Sequence, residues 1–558
     1  MNSVHEIDLK PKAGKNYWKN CHREWREEFI YFLLVDRFHD DQQRSPAEPQ
    51  VRHQGYGNTE ELQRVCGGTL KGITTHLKYI HDLGCTALWL SPVFGNNADS
   101  YHGYAIENYL DIDKRFGTKD DLEELVEQAH ALDMRVFLDI VLHHSGDNWF
   151  YPEDLPYYYY DGATFPFGGW RYNNLPVPIE FRDTSLYNRQ GRIRNYDSYP
   201  ETRDGDFMAL KTFRSDDSPE ARYIQDSMVK IHCYWMREVD IDGFRLDAVK
   251  HMGELAISRF CSHVREYAYL LGKKNFFLFG ELVGPETLYN KYIGPKTSTS
   301  IDHKTIYYGL SSVLDFPLYH VLASVIIGNA SPEKLIERYE SLRKSALGRG
   351  EYGEFLVTFL DNHDQVGQFT KQRFGKSARP EQVVAGISFL LCALGTPCIY
   401  YGTEQGLEGS GEGDWEVREA MFSLTDRKTN ILDVSSFIYK GISKVAHLRR
   451  ESAVLKFGRM YICKVSTDGI YFHFPDCKEC LLAFSRVLHD EEWVIAYNIS
   501  STEVKEELVT IGKRRAGEFR FLHGDTGKIK VETVEDNLNY FIRLKLNPLQ
   551  FVILTNSD

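Results

Sequence analysis

The stretch IDGFRLDAVKH, Ile241 to His251, begins as a short apolar run and ends on Arg245, Asp247, Lys250 and His251. Such a run, predicted as a strand over Ile241–Asp247, suits a strand buried on both faces whose polar residues gather at its C-terminal end. Arg245 and Asp247 are two apart and so point to the same face. Working outward, the same pattern recurs at Phe29–Val35, Cys85–Leu90, Val136–Leu142, Asn275–Glu281, Ser312–Phe316, Phe355–Asp361 and Pro397–Gly402. Turn signals and helical patterns separate these runs, as in Lys119–Leu132 (KDDLEELVEQAHAL) and Pro219–Val239. Eight strands alternating with helices predict an α/β fold whose parallel sheet closes into a (β/α)8 TIM barrel. An open doubly wound sheet is the alternative, but no GxGxxG follows the first strand.

Two regions break the alternation. Residues 145–213 lose their periodicity and fill with aromatics, Gly and Pro (FYPEDLPYYYYDGATFPFGGWRYNNLPVP), which predicts an insertion domain after strand three, overhanging the barrel mouth. Residues 451–558 are dominated by strand-like runs with regular turns, which predicts a C-terminal antiparallel β-sandwich. The catalytic barrel is then 1–144 with 214–450.

The chain has 558 residues, with 66 Lys plus Arg against 79 Asp plus Glu, a formal charge of −13. No concentrated basic stretch is present, so nucleic acid is not expected as a partner. The 42% hydrophobic and 13% aromatic fractions exclude disordered and fibrous classes. There is no signal-like apolar region at the start and no run long enough to span a bilayer, so the reading is a cytoplasmic protein without a membrane partner, or a secreted one if a signal has been removed. Ten cysteines, mostly single within apolar runs, suit reduced core thiols. Cys477 and Cys480 form one CxxC near His473 and Cys463, whose spacing fits no standard zinc ribbon. Oligomeric state is not readable from the sequence.

In a barrel, reacting groups project from the C-terminal ends of the strands. Here those ends carry Asp139, His143 and His144 on strand three, Arg245 and Asp247 on strand four, Glu281 on strand five, and Asp361, His363 and Asp364 on strand seven. Arg245 should favour the charged form of Asp247, while Glu281, behind the apolar FFLF, should hold its proton more easily. Two carboxyls with environments that push their pKa values apart are the acid and nucleophile pattern of glycoside hydrolysis. Taken singly, Arg245 with Asp247 reads equally as a buried ion pair and each histidine as a core residue.

Nine segments in order resemble glycoside hydrolase family 13, the α-amylase family, over nearly the whole chain. They are YFLLVDRF at Tyr31, GGTLKGI at Gly67, ALWLSPVF at Ala87, YHGYAIENY at Tyr101, DIVLHHS at Asp139, DGFRLDAVKH at Asp242, FGELV at Phe279, FLDNHDQ at Phe359 and GTPCIYYGTEQG at Gly395. The resemblance implies Asp247 as nucleophile, Glu281 as acid/base and Asp364 as transition-state stabiliser of a retaining mechanism. It implies that His102, Tyr104, His144, Arg245 and His363 surround the sugar at the cleavage point, with Tyr104 stacked beneath it. Asp414 and Arg418, in GDWEVREAMF, would hold the next sugar on the non-reducing side. Lys250 and His251 resemble the version of their segment that grips the leaving glucose of α-1,4-linked glucan.

The expected function is therefore hydrolysis of α-1,4 bonds in starch, glycogen or maltodextrins, without an organic cofactor. The alternatives are a 4-α-glucanotransferase or cyclomaltodextrinase-type enzyme, an α-1,6-glucosidase, and, from a different class, a non-catalytic glycan-binding protein. Two departures from the family pattern matter. His143 stands where many relatives have Asn as a ligand of a structural calcium, which leaves calcium open, with Asp206 its candidate ligand. Ala105 replaces a common Trp and removes one stacking surface. The run Tyr157–Tyr160 reads as packing of the insertion onto the barrel rather than as a sugar platform.

Overall fold

The computed structural model describes residues 1–19, 22–41, 45–46, 55–159, 164–299, 304–346, 355–368, 370–409, 411–426, 428–512, 517–533 and 540–557. Eight parallel strands form the central sheet: β1 Ile30–Leu33, β2 Ala87–Leu90, β3 Arg135–Ile140, β4 Gly243–Leu246, β5 Phe277–Gly280, β6 Ser312–Val313, β7 Val357–Thr358 and β8 Thr396–Tyr400. They pair in the order β6-β5-β4-β3-β2-β1-β8-β7, and a parallel bridge from Leu314 to Val357 joins the two ends. The TIM barrel expected from the sequence is thus present, with each expected run supplying one strand. β1 to β5 and β8 are buried along their whole length, as strands between a packed interior and a ring of helices must be.

Local chemistry sets the helices between them. Helix α1, Lys119–Ala131, starts at a Thr118–Asp121 capping box. Helix α2, Pro219–Val239, starts with the Ser218 side chain accepting from Ala221 N and Pro219 in its first turn, and ends at Asp240 in the left-handed region (φ 63°). Its buried face carries Ile224, Met228, Ile231 and Trp235 toward the barrel. Among the described residues no helix is long and apolar enough to cross a membrane.

Residues 145–213 hold only short elements. The neck of this segment is a two-residue antiparallel pairing of Lys211–Thr212 with His144–Ser145, and its interior is an aromatic cluster in which Trp149 packs against Tyr151, Phe167 and Tyr187. In the tyrosine run, Tyr158 is buried, Tyr157 lies under the Arg192 guanidinium at 3.7 Å, and Tyr159 is exposed; Tyr160 lies outside the described residues.

After helix α3, Phe437–Glu451, nine strands follow: β9 Arg459–Ile462, β10 Val465–Ser466, β11 Leu481–Leu488, β12 Glu491–Asn498, β13 Lys505–Ile511, β14 Glu518–His523, β15 Lys528–Thr533, β16 Tyr540–Leu546 and β17 Phe551–Thr555. They pair in the order β9-β11-β12-β17-β14-β15-β16-β13-β10, all antiparallel. One core cluster joins Val494, Phe519 and Leu554 from one half of this sheet to Val509, Ile542 and Leu544 from the other, so the sheet folds over itself as a sandwich. Arg486 fastens it to the barrel by donating to the carbonyls of Cys392 and Ala393, each at 2.7 Å.

Candidate active site

Strand register assembles the centre of the site. Arg245 of β4 is level with Asp139 of β3 and Phe279 of β5, and Leu246 is level with Gly280. Asp247 and Glu281, one residue further along, therefore leave neighbouring strands side by side. Asp247 N donates to Ile140 O and Glu281 N to Leu246 O, each at 2.9 Å, so the ladder continues through both carboxyl-bearing residues. Ala248 then turns into the left-handed region (φ 51°), and its N–H donates to Glu281 Oε2 at 3.2 Å.

One buried guanidinium holds three acids together. Arg245 Nη1 donates to Asp247 Oδ1 at 2.6 Å and to both Asp139 oxygens at 2.9 and 3.0 Å, while Nη2 lies 3.1 Å from Glu281 Oε2. Arg245 favours the charged form of Asp247, as the sequence suggested, but it acts against burial. Burial outweighs the Arg245 charge, and Asp139 adds to the rise, so Asp247 is pushed up to about 6. It is still ionised at neutral pH. Burial likewise pushes Glu281 up to about 8, against Arg245 and helped by the charges of Asp247 and Asp364. At pH 7 the pair is thus one carboxylate and one carboxylic acid.

Asp364, beyond β7, is held by a second guanidinium. Burial would raise it, but His363 and Arg418 outweigh burial and bring it to about 2. Arg418 Nη2 donates to Asp364 Oδ1 at 2.7 Å, Nε to His363 O at 2.8 Å and Nη1 to Tyr101 OH at 3.0 Å. Each guanidinium nitrogen thus faces a protein acceptor, and Arg418 holds Asp364 in place. Asp414 sits 3.9 Å from Arg418 and pairs with Lys371 at 3.0 Å.

Four of the remaining expected residues line the same mouth. Tyr104 donates its hydroxyl to Asp139 Oδ2 at 2.8 Å and stacks on His363 (5.2 Å, 12°). His102 stacks on Tyr104 at 5.7 Å and accepts from its N–H, and His144 Nε2 is 3.1 Å from the Tyr104 carbonyl. Burial drops His102 and His363 to about 3 and His144 to about 4, so all three are neutral hydrogen-bonding groups at pH 7. Lys250 and His251 lie to one side, in contact with the insertion: Lys250 pairs with Asp197, and the His251 ring lies 2.6 Å from the Thr202 carbonyl. The sequence reading left Asp139 and Tyr101 without a role. Asp139 is visible in DIVLHHS as a polar residue inside an apolar strand, and Tyr101 opens the YHGYAIENY segment, though nothing there points to Arg418.

Residues 32–436 match the family described as "Alpha amylase, catalytic domain". The chain belongs to the α-amylase family, glycoside hydrolase family 13. It is 29% identical to an α-amylase of Streptomyces lividans over 83% of this chain and 54% of that protein. It is 27% identical to a cyclomaltodextrin glucanotransferase of Klebsiella oxytoca over 80% of this chain and 68% of that protein. The chain thus spans about half the length of the Streptomyces relative. Among solved structures, the α-amylase of Geobacillus thermoleovorans in complex with acarbose superposes with a TM-score of 0.70 at 26% identity, covering 96% of this chain and all of that one (100%).

The α-amylase family resemblance raised calcium, and the donors at the neck of the insertion do not fit it. Asp206 accepts from Tyr151 OH at 2.6 Å through Oδ2 and from Thr212 N at 2.9 Å through Oδ1, so both oxygens already face protein donors. His143 offers an imidazole whose Nδ1 lies 3.0 Å from His144 Nδ1, where calcium takes oxygen. Among the described residues no three His, Cys, Asp or Glu side chains converge as a metal site requires, the Cys477–Cys480 motif included.

Proposed function

We propose that this member of the α-amylase family is a retaining hydrolase of α-1,4-glucosidic bonds in starch, glycogen or maltodextrins. The observation that carries the reading is the acid pair itself. Asp247 and Glu281 leave adjacent parallel strands, which lie about 4.8 Å apart, and share one guanidinium. Both carboxyls reach the same guanidinium, Asp247 Oδ1 at 2.6 Å from Nη1 and Glu281 Oε2 at 3.1 Å from Nη2, as an acid and a nucleophile acting on one glycosidic bond require.

In the reaction, ionised Asp247 attacks the anomeric carbon while Glu281 gives its proton to the departing oxygen. Glu281, now ionised, then takes a proton from the water that attacks the glycosyl-Asp247 ester, and the second displacement restores the starting configuration. Asp364, charged at all working pH values, favours the positive charge that develops on the ring. With Glu281 protonated, the three carboxylates Asp139, Asp247 and Asp364 face the two guanidiniums Arg245 and Arg418. The surrounding histidines are neutral, so the centre carries a net negative charge suited to a cationic transition state. Tyr104 and His102 present ring faces to the sugar, and Lys250 with His251 stands on the leaving-group side.

The pH profile tests these roles. Activity requires Asp247 ionised and Glu281 protonated, so kcat/KM on maltoheptaose should fall below about 6 and above about 8. Glu281→Gln should remove the alkaline limb together with most of the activity. A wild-type profile flat from pH 5 to about 10 would remove the assignment. Glucanotransfer is the second reading, favoured by the likeness to the Klebsiella glucanotransferase; the same residues would act, with a sugar hydroxyl in place of water.

A further inference from the structure

The neck of the insertion contains a cation of its own. Lys211 is 2% exposed, far below what a lysine adopts without a reason. It lies on the strand that pairs with Ser145, so its stem starts at the point where the chain leaves the barrel and later returns to it. Its Nζ is 2.8 Å from Asp147 Oδ1 and donates to the Ala209 carbonyl. The stem and ammonium lie over the rings of Trp149 (5.1 Å) and Tyr151 (5.9 Å). Burial raises the fully enclosed Asp206 carboxyl, and Lys211 is the largest influence opposing that rise.

The Lys211 ammonium thus connects Asp147, on the outgoing chain, with the Ala209 carbonyl, just before the chain returns, and its charge acts on the buried Asp206. We propose that Lys211 performs in this chain the clamping that the family resemblance assigns to calcium, so that the neck of the insertion needs no divalent ion. The charge inventory agrees. Asp147 and Asp206 are matched by Lys211 and by Arg171, whose Nε is 3.1 Å from Asp147 Oδ2. A divalent ion brought to these oxygens would meet an ammonium already on Asp147 and Tyr151 and Thr212 donors already on Asp206. His143 fits the same picture: it offers a ring nitrogen, 3.0 Å from His144 Nδ1, where calcium takes oxygen.

The test reads stability and binding rather than turnover, so it stands whether or not the proposed hydrolysis is correct. Thermal unfolding of the full chain, followed by near-ultraviolet circular dichroism, should give midpoints in about 5 mM EDTA and about 5 mM calcium that agree within about 1 °C. Calorimetric titration of chelator-treated protein with calcium should show no stoichiometric site. Lys211→Met, which keeps the stem and removes the charge, should lower the midpoint by about 5 °C or more, with proteolytic cleavage appearing first within residues 145–213. A rise of more than about 3 °C with calcium in the wild type would overturn the proposal. So would one tightly bound calcium per chain, or a Lys211→Met protein that unfolds as the wild type does. Where Lys211→Met fails to fold, the wild-type calcium comparison alone decides.

Discussion

Replacing Asp247 with Asn should lower kcat on maltoheptaose by about 10⁴-fold or more while leaving the unfolding midpoint within a few degrees of wild type. The amide has the volume of the carboxyl, and its oxygen can still accept from Arg245 Nη1, so the buried centre stays packed and hydrogen-bonded. What disappears is the nucleophile. A 10⁴-fold loss corresponds to about 5.5 kcal/mol of transition-state stabilisation, the scale expected when a covalent route is closed. The substitution has a second readout. The Asp247 charge helps hold Glu281 high, so in Asp247→Asn the Glu281 proton should leave at lower pH, visible as a downward move of the alkaline limb in the residual activity. Activity within tenfold of wild type in a folded Asp247→Asn protein would exclude Asp247 as the nucleophile.

Arg245→Met should affect both stability and catalysis. One guanidinium serves Asp139, Asp247 and Glu281, all buried, and opposes the rise of each. Removing one partner of a buried ion cluster costs about 3 to 5 kcal/mol, because the remaining carboxyls must take up protons or stay unpaired. The direction on catalysis follows from the same balance. Without Arg245, Asp247 rises from about 6 through neutrality, so at pH 7 the nucleophile becomes largely protonated and kcat/KM should fall by about 10³-fold. The acid limb should shift to higher pH. Arg245→Lys keeps a charge but cannot span two carboxyls with a planar fork, so it should fall between the two. Denaturant unfolding and a pH–rate profile of both variants check this. An acid limb that stays near 6 in Arg245→Met would show that Asp247 owes its ionisation to something else.

The barrel was legible because its strands advertise themselves twice, as short apolar runs and by the polar residues at their ends. β6 and β7 were read as longer runs, Ser312–Phe316 and Phe355–Asp361, and pair over only two residues each, since they continue at once into the loop and helix that follow. The interior of the insertion was not legible: its aromatic residues are spaced by contact in three dimensions, not by any period along the chain.

At the site, strand ends offer Asp139, Asp247, Glu281, Asp361 and Asp364 alike, and the family resemblance is what assigns roles to Asp247, Glu281 and Asp364. The division of labour among cations was not legible, because it depends on register. The sequence pairs Arg245 with Asp247, two residues away, and the resemblance sets it beside the sugar, whereas the neighbouring strands also bring it Asp139 and Glu281. Arg418 reads from the sequence as a sugar-binding side chain, and the fold adds that its donors hold Asp364, His363 and Tyr101. Lys211, in the unremarkable run ALKTF, gave no signal at all; its meaning arises from burial beside Asp147 and Asp206.

The central claim is that two carboxyls on adjacent strands cleave an α-1,4 bond by double displacement. The most direct measurement is proton NMR of the reducing-end anomers formed from maltoheptaose in the first minutes of reaction, before mutarotation. The account predicts that maltooligosaccharides shorter than the input appear first as α-anomers, with panose and isomaltose uncleaved at their α-1,6 bonds. β-Anomers appearing first would contradict it, because a single displacement by water would then have occurred and Asp247 would be a base rather than a nucleophile.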